Sequence, residues 1–107
     1  MNYKALQSRL DFIVYGKDNW RLDLKINQDG SPEITYDAHG LTVKQAQRTI
    51  RNLINIARTP VHLNVIHGFN HGTGIKEMLA QETLSGRLIS RFGPESNPGK
   101  TFMTIAA

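Results

Sequence analysis

The chain has 107 residues, 39% of them hydrophobic, which suits one domain with a single core. It has no cysteine, which excludes disulfides, zinc–thiolate sites and cysteine nucleophiles. With 13 Lys and Arg against 9 Asp and Glu, the formal net charge is +4, which favours an anionic partner, nucleic acid first.

The chain carries no recognisable targeting or membrane segment. Its first residues, MNYKALQSRLDF, lack the apolar core and small-residue cleavage site of a signal peptide. No apolar run approaches the length that spans a bilayer. We therefore predict a cytoplasmic protein with no membrane partner.

The first 32 residues allow two interpretations. Segments 10–16 and 20–26 each have strand character, and GKDN between them is typical of a turn, which together would give a hairpin. The alternative is a short helix over about residues 3–12, with Leu6, Leu10 and Ile13 on one side. The pattern does not separate the two. The loop NQDGSP then marks the predicted boundary between an N-terminal extension, 1–32, and the main unit, 33–107.

The main unit alternates strands and helices. Thr42 with Gln45 forms a capping-box pattern that starts the first helix, Pro60 stops it, and Gly86 ends the second. The strands are EITYDA, VHLNVIHG, RLISRF and KTFMTIA, and IKEMLAQETL is the second helix. The order β-α-β-α-β-β predicts an α/β fold, a two-layer sandwich of helices on a mixed sheet. Three aromatic residues are expected in the core: Trp20, Phe92 and Phe102.

An acid and a histidine end the first of these strands. Residues two apart on a strand point to the same face, so Asp37 and His39 are predicted neighbours. A carboxylate fixes the tautomer of an adjacent imidazole and stabilises its protonated form, which suits acid–base cleavage of a phosphodiester. The alternative is structural: His39 caps a turn while Asp37 accepts backbone N–H groups from the following loop.

The glycine-rich loop HGFNHGTG lies between a strand and a helix start. Unpaired N–H groups and the helix dipole favour an anion there, so the predicted phosphate-binding residues are Gly72, Thr73, Gly74 and Lys76. An ordinary turn that needs glycine for its dihedral angles is equally compatible. No carboxylate accompanies His67 and His71 at a familiar spacing, so no structural metal site is predicted. A divalent ion, if one is used, would be held through Asp37 and the substrate phosphate.

Positive charge follows one side of the first helix. At about 100° per residue, its basic residues fall within one sector, away from the apolar side: Lys44, Arg48, Arg51 and Arg58. No acid occurs between Thr42 and Thr59, which favours a phosphate-backbone contact over a merely solvated surface. Phe69 and His71, on the neighbouring loop, are further candidates to contact nucleic acid, and Phe69 could stack on a base.

Three segments together resemble the Smr (small MutS-related) family. Asp37-Ala38-His39-Gly40 before a helix is similar to its Asp-x-His-Gly element, VIHGFNHGTGIKEML to its His-Gly and Gly-x-Gly element, and NPGKTFMTI to its closing strand. The likeness covers residues 33–107. Tyr36 and Ala38 replace the usual aliphatic pair around the acid, and the glycine loop is longer and lacks the family lysine.

The resemblance implies a fold like the C-terminal domain of translation initiation factor three, and DNA nicking or RNA cleavage. In this hypothesis Asp37, His39 and His67 are the catalytic residues. A second hypothesis is a non-catalytic module that binds nucleic acid or the ribosome through the same basic side. A third, from another class, is a protein-interaction domain. The sequence leaves open RNA versus DNA, the need for a divalent ion and the oligomeric state.

Overall fold

The computed structural model describes residues 3–14, 16–56, 60–68, 74–81, 88–93 and 99–106. Its elements in chain order are α1 (Tyr3–Ile13), a 3₁₀ helix (Gly16–Arg21), β1 (Leu22–Ile26), β2 (Pro32–Asp37), α2 (Val43–Ile56), β3 (Val61–Ile66), α3 (Gly74–Gln81), β4 (Leu88–Phe92) and β5 (Lys100–Ile105). From β2 onward this is the β-α-β-α-β-β order that the sequence predicts. Within these ranges, no helix combines the length and apolar character needed to cross a membrane.

The strands form one open, mixed sheet in the order β1-β2-β3-β5-β4. β2 and β3 are parallel, whereas the other neighbouring pairs are antiparallel. Alternate side chains of β2, β3 and β5 are buried, so one face of the sheet packs against the core. α1 contacts α2 and α2 contacts α3, so the helices lie side by side over that face. In the part of the chain described, no helix covers the opposite face, which we call the uncovered face.

The N-terminal segment combines parts of both interpretations. The helix forms as α1, with Leu6 and Leu10 buried in the common core, and the second predicted strand forms as β1. The strand predicted over 10–16 is wrong, because its first residues complete the apolar side of α1. The hairpin partner of β1 is β2, with Leu22 opposite Tyr36. Residues 1–32 therefore supply an edge strand and a helix to the same sheet and core.

The three aromatic residues predicted in the core are exposed. Trp20 is 55% accessible, Phe92 63% and Phe102 37%. Phe92 and Phe102 are opposite each other in the β4–β5 register and lie on the uncovered face. Trp20 belongs to the 3₁₀ helix and precedes the alternating part of β1. Among the described residues, the aromatic side chain in the core is instead Tyr36, which is 1% exposed.

α2 begins as its sequence indicates. The Thr42 hydroxyl accepts the Gln45 backbone N–H at 3.1 Å, and the Gln45 side-chain oxygen accepts the Thr42 N–H at 3.1 Å, which confirms the capping box. The buried residues recur at helical spacing: Ala46, Ile50, Leu53 and Ile54. The helix ends at Ile56, before the predicted stop at Pro60; residues 57–59 between them lie outside the described ranges.

Tyr36 joins β2 to α2 through its hydroxyl group. Burial of the ring raises the pKa of Tyr36, and a hydrogen bond with the Thr49 side chain opposes part of that rise. A buried phenol keeps its hydroxyl hydrogen-bonded because an unpaired polar group in the core is destabilising. This contact fixes the helix directly above the strand that ends in Asp37.

Tyr36→Phe and Thr49→Val are each expected to lower the free energy of unfolding by about 1 kcal/mol, the value of one partly buried hydrogen bond. Because both remove the same bond, the double variant should lose less than the sum of the two single changes. Urea unfolding measures the three values. Thr35→Val, on the uncovered side of the same strand, is the matched control and should change stability little. Strictly additive losses would contradict the contact.

Candidate functional site

Two strand ends meet at the carboxyl edge of the parallel pair β2–β3. The Ala38 N–H donates to the Ile66 carbonyl at 2.7 Å, which continues the pairing one residue past β2. Beyond it, a Cβ placed on Gly68 would lie 3.5 Å from the His39 Cβ, an ordinary van der Waals contact. The Asp-x-His-Gly and His-Gly segments therefore lie side by side. In α/β sheets, this edge is where ligands usually bind.

A third segment, at the start of β5, joins the other two. The Gly99 carbonyl accepts the N–H of His67 at 2.8 Å and that of Gly68 at 3.1 Å. The Thr101 hydroxyl lies 2.9 Å from the His67 Nε2 atom. The ends of β2 and β3 and the start of β5 are thus in contact at one edge of the sheet.

Asp37 and His39 form a hydrogen-bonded pair. One carboxylate oxygen, Oδ1, lies 2.5 Å from the His39 Nδ1 atom and also accepts the His39 backbone N–H at 3.1 Å. A carboxylate can only accept, so Nδ1 carries the proton and Nε2 of the neutral ring is a bare base. The histidine side chain is 55% exposed and the aspartate 23%. The same carboxylate therefore makes both the contact with the imidazole and the backbone contact of the structural alternative.

Two residues of the N-terminal segment complete the candidate site, and they were not predicted from the sequence. Arg21 Nη1 donates to the Asp37 carbonyl at 3.1 Å and to the His39 carbonyl at 2.9 Å. The Trp20 ring lies 5.8 Å from the His39 ring, centroid to centroid, and the Arg21 guanidinium carbon lies 4.6 Å from the Trp20 centroid. Only the hairpin register, Leu22 opposite Tyr36, brings residues 20 and 21 beside 37 and 39. A signal existed in retrospect: a Trp-Arg pair directly before an edge strand.

His67 is placed differently from His39. It is 7% exposed, and both ring nitrogens have partners: Nδ1 is 3.1 Å from the Gly68 carbonyl and Nε2 is 2.9 Å from the Thr101 hydroxyl. Since a carbonyl only accepts, Nδ1 donates and the Nε2 of a neutral ring accepts from Thr101. In this arrangement the ring ties the His-Gly segment to β5 instead of facing a substrate.

The predicted phosphate loop is described only at its end. Gly72 and Thr73, and the contact candidates Phe69 and His71, lie outside the described residues. Gly74 begins α3, and a Cβ there would come within 2.8 Å of Val43 Cγ2 at the start of α2. Close helix packing therefore explains this glycine without a ligand. Lys76 lies half-buried in the first turn of α3.

The basic residues of α2 do share one surface. Among the described residues, the lining of a surface depression of about 400 Å³ consists of cationic and amide side chains: Lys44, Gln47, Arg48, Arg51, Asn52 and Asn55. Arg58, the fourth predicted member, lies outside the described residues. α2 contains no acid, so nothing on the helix neutralises this surface. On β4, Arg91 donates to the Leu79 carbonyl at 2.8 Å and so binds the C-terminal part of α3.

Comparison with known proteins identifies no relative of this chain. No protein-family model matches the chain, and neither the curated proteins nor the solved structures contain a match. Within the described ranges, no group of three or more His, Asp or Glu side chains is arranged to hold a metal ion. The protein is therefore classed by its own architecture, an open α/β sheet with an exposed acid–imidazole pair at the edge of its parallel strands.

Gly74→Ala should destabilise the protein by about 1–3 kcal/mol, because the added methyl group overpacks against Val43. Val43→Ala removes the opposing atom and should restore most of that loss when combined with Gly74→Ala. Chemical unfolding of the two single variants and the double variant measures the effect. If Gly74→Ala is as stable as the wild type, or the double variant is no better than the single one, the helices do not meet here.

Arg21→Met should lower the free energy of unfolding by about 2 kcal/mol, since a charged donor to two carbonyls is lost. The ring signals of His39 should also shift in the NMR spectrum, because the turn that holds it is released. Lys17→Met, an exposed cation of the same 3₁₀ helix, is the control and should change neither. Unaltered His39 signals in Arg21→Met would show that Arg21 does not position the pair.

Proposed function

We propose that the protein binds nucleic acid and cleaves it as an endonuclease of the Smr type, with a fold like the C-terminal domain of translation initiation factor three. One observation supports this best: the Asp37–His39 pair is exposed at an edge where cationic side chains gather. Three features of the molecule support the proposal: the chemistry of the pair, the charge around it and the surface of α2.

The pair suits the acid–base chemistry of phosphodiester cleavage. Asp37 holds Nδ1 of His39, which leaves Nε2 to take a proton from the attacking hydroxyl, either water or a ribose 2′-OH. That oxygen then bonds to phosphorus, the bond from phosphorus to the leaving oxygen breaks, and the imidazolium can return the proton to it. A carboxylate at Nδ1 stabilises the protonated intermediate ring. His67, engaged on both nitrogens, supports the edge in this scheme without transferring protons.

The topology gathers positive charge at the same edge. Arg21 directly precedes β1, Lys44 and Lys76 lie in the first turns of α2 and α3, and Lys100 begins β5. In the sheet register, Asp37 is opposite Ile66 and Ile66 is opposite Lys100. The Cα atoms of Asp37 and Lys100 are therefore two strand spacings apart, about 10 Å. Cations around a bound phosphate stabilise the charge that develops on it during cleavage.

The α2 surface would hold the nucleic-acid backbone beyond the cleavage point. This surface starts with Lys44, near the sheet edge that carries the pair, and continues along the helix through Arg48 and Arg51. Phosphate neutralisation by such side chains gives affinity that is independent of sequence. The amides between them, Gln47, Asn52 and Asn55, offer hydrogen bonds to the same backbone.

A non-catalytic nucleic-acid- or ribosome-binding module is the second candidate. It is favoured by the second bond of Asp37, to the His39 backbone N–H, which gives the pair a structural use without any chemistry. The two candidates share the α2 surface and differ only in whether a bound strand is cut. A protein-interaction domain would require neither the basic surface nor the exposed imidazole.

Replacing Lys44, Arg48 and Arg51 together with Gln should weaken binding to RNA or DNA and reduce the salt dependence. The slope of log affinity against log salt should fall by about 0.7–0.9 for each lost phosphate contact. Replacing Lys4, Arg9 and Lys17 with Gln changes the net charge equally and is the matched control. Fluorescence anisotropy over a salt series measures both. Equal slopes in the two triple variants would remove α2 from the interface, and an absence of binding by the wild type would favour a protein-interaction domain.

His39→Gln and Asp37→Asn should each reduce cleavage of an oligonucleotide at least about 100-fold while binding is retained. The control is His62→Gln, because His62 lies on β3 away from the carboxyl edge. Matched RNA and DNA strands, each with and without Mg²⁺, distinguish attack by the 2′-OH from attack by water and reveal a need for a divalent ion. Equal, undiminished cleavage by wild type and both variants would remove the pair from the chemistry. Binding with no cleavage by the wild type would support the non-catalytic module.

A further inference from the structure

We infer that Trp20 is a stacking platform for a nucleobase next to the scissile phosphodiester, so that the substrate is unpaired at that position. This inference rests on the proposed function and names the class of substrate for the same site. It comes from the indole beside His39, which has no part in the proposed proton transfer.

The position of Trp20 is fixed by the same side chain that holds the candidate catalytic turn. The Arg21 guanidinium lies over the indole, 4.6 Å from its centroid, and donates to the carbonyls of both Asp37 and His39. The Arg21 side chain is 14% exposed, so it is itself held in place by packing. Arg21 therefore fixes the position of the indole relative to the acid–imidazole pair. A base stacked on the indole would bring its own phosphate to His39.

The exposure of the indole is the second observation. A tryptophan is normally well buried, yet Trp20 is 55% accessible. The guanidinium covers part of the ring, and the ring lies beside the exposed His39, with the two centroids 5.8 Å apart and the two planes tilted by 56°. A nucleobase stacks most favourably on an aromatic ring that is already held in place and accessible to solvent. Binding then does not have to immobilise the side chain, so it loses little side-chain entropy.

The geometry selects unpaired nucleotides. In a duplex both faces of each internal base are already stacked on neighbours, so an aromatic side chain reaches a base only in a single strand, a loop or an end. Because the indole lies beside the pair, the stacked base would be within about one nucleotide of the reacting phosphate. We therefore expect cleavage in a loop or a single strand.

The chain has one tryptophan, so its tryptophan fluorescence, excited selectively over that of the three tyrosines, reports on Trp20 alone. Titration of the wild type with a single-stranded oligonucleotide should quench this fluorescence to saturation, with a midpoint equal to that from anisotropy. A blunt duplex of the same sequence should bind α2 but quench little. A strand with an abasic site at the cleavage position tests the base directly, because it keeps every phosphate and should also lose most of the quenching.

Variants separate stacking from folding. Trp20→Ala should weaken binding to the single strand about tenfold and leave duplex and abasic-strand binding unchanged. Trp20→Phe, which keeps an aromatic face, should retain most of the affinity, and Phe12→Ala, at an exposed aromatic of α1, should retain all of it. If Trp20→Ala fails to fold, the fluorescence titration of the wild type still decides, since it needs no variant.

The failures of the two proposals are distinguishable. Binding and cleavage that depend on the α2 cations and His39, with no change in tryptophan fluorescence, overturn the stacking role and leave the proposed function standing. The same holds if single strand and duplex are quenched and cleaved alike. If the wild type binds no nucleic acid by anisotropy at low salt, both proposals fall together.

Discussion

The parallel pairing of β2 with β3 is the constraint on which the rest of the structure depends. Parallel strands put their carboxyl ends at one edge, and the bond from the Ala38 N–H to the Ile66 carbonyl extends that pairing into the turn. Because side chains alternate along each strand, Tyr36 enters the core beneath α2 while Asp37 faces away from it. A shift of one residue in register would bury the acid and expose the phenol.

Gly40 is required by the backbone, whereas Asp37 and His39 are not. Gly40 has φ of 81°, and the Leu41 N–H closes the turn by donating to the Ala38 carbonyl at 3.2 Å. Any residue could precede that glycine, yet the chain exposes a hydrogen-bonded acid and imidazole there. A turn alone needs neither the imidazole contact nor the arginine that holds the two carbonyls. The geometry of the turn therefore does not by itself account for the combination.

The parts of the fold that were predictable have local causes. The capping box of α2, the apolar spacing of its buried side and the alternation of β2, β3 and β5 each depend on residues within one element. The N-terminal segment was not predictable in this way, since Leu6 and Leu10 fit a helix while neighbouring residues fit a strand. The prediction that the aromatic residues are buried was wrong for another reason. Alternation tells which residues share a face, but not which face the helices cover, so Phe92 and Phe102 were assigned to the wrong side.

The candidate site shows the same division between local and long-range information. The Asp37–His39 contact was predictable because two residues on one strand suffice to form it. The contact of Arg21 with those residues depends on a strand register across 16 positions of sequence, so the pattern within one element does not predict it. His67 illustrates the converse: its place at a strand end was correctly located, but its partners, Gly68 and Thr101, fill both ring nitrogens. Spacing therefore locates residues at an edge, while the neighbouring strands decide which of them can face a substrate. By that criterion His39, and not His67, is the histidine that can face a ligand, and the hairpin that brings Arg21 and Trp20 to it makes the N-terminal segment part of the candidate site.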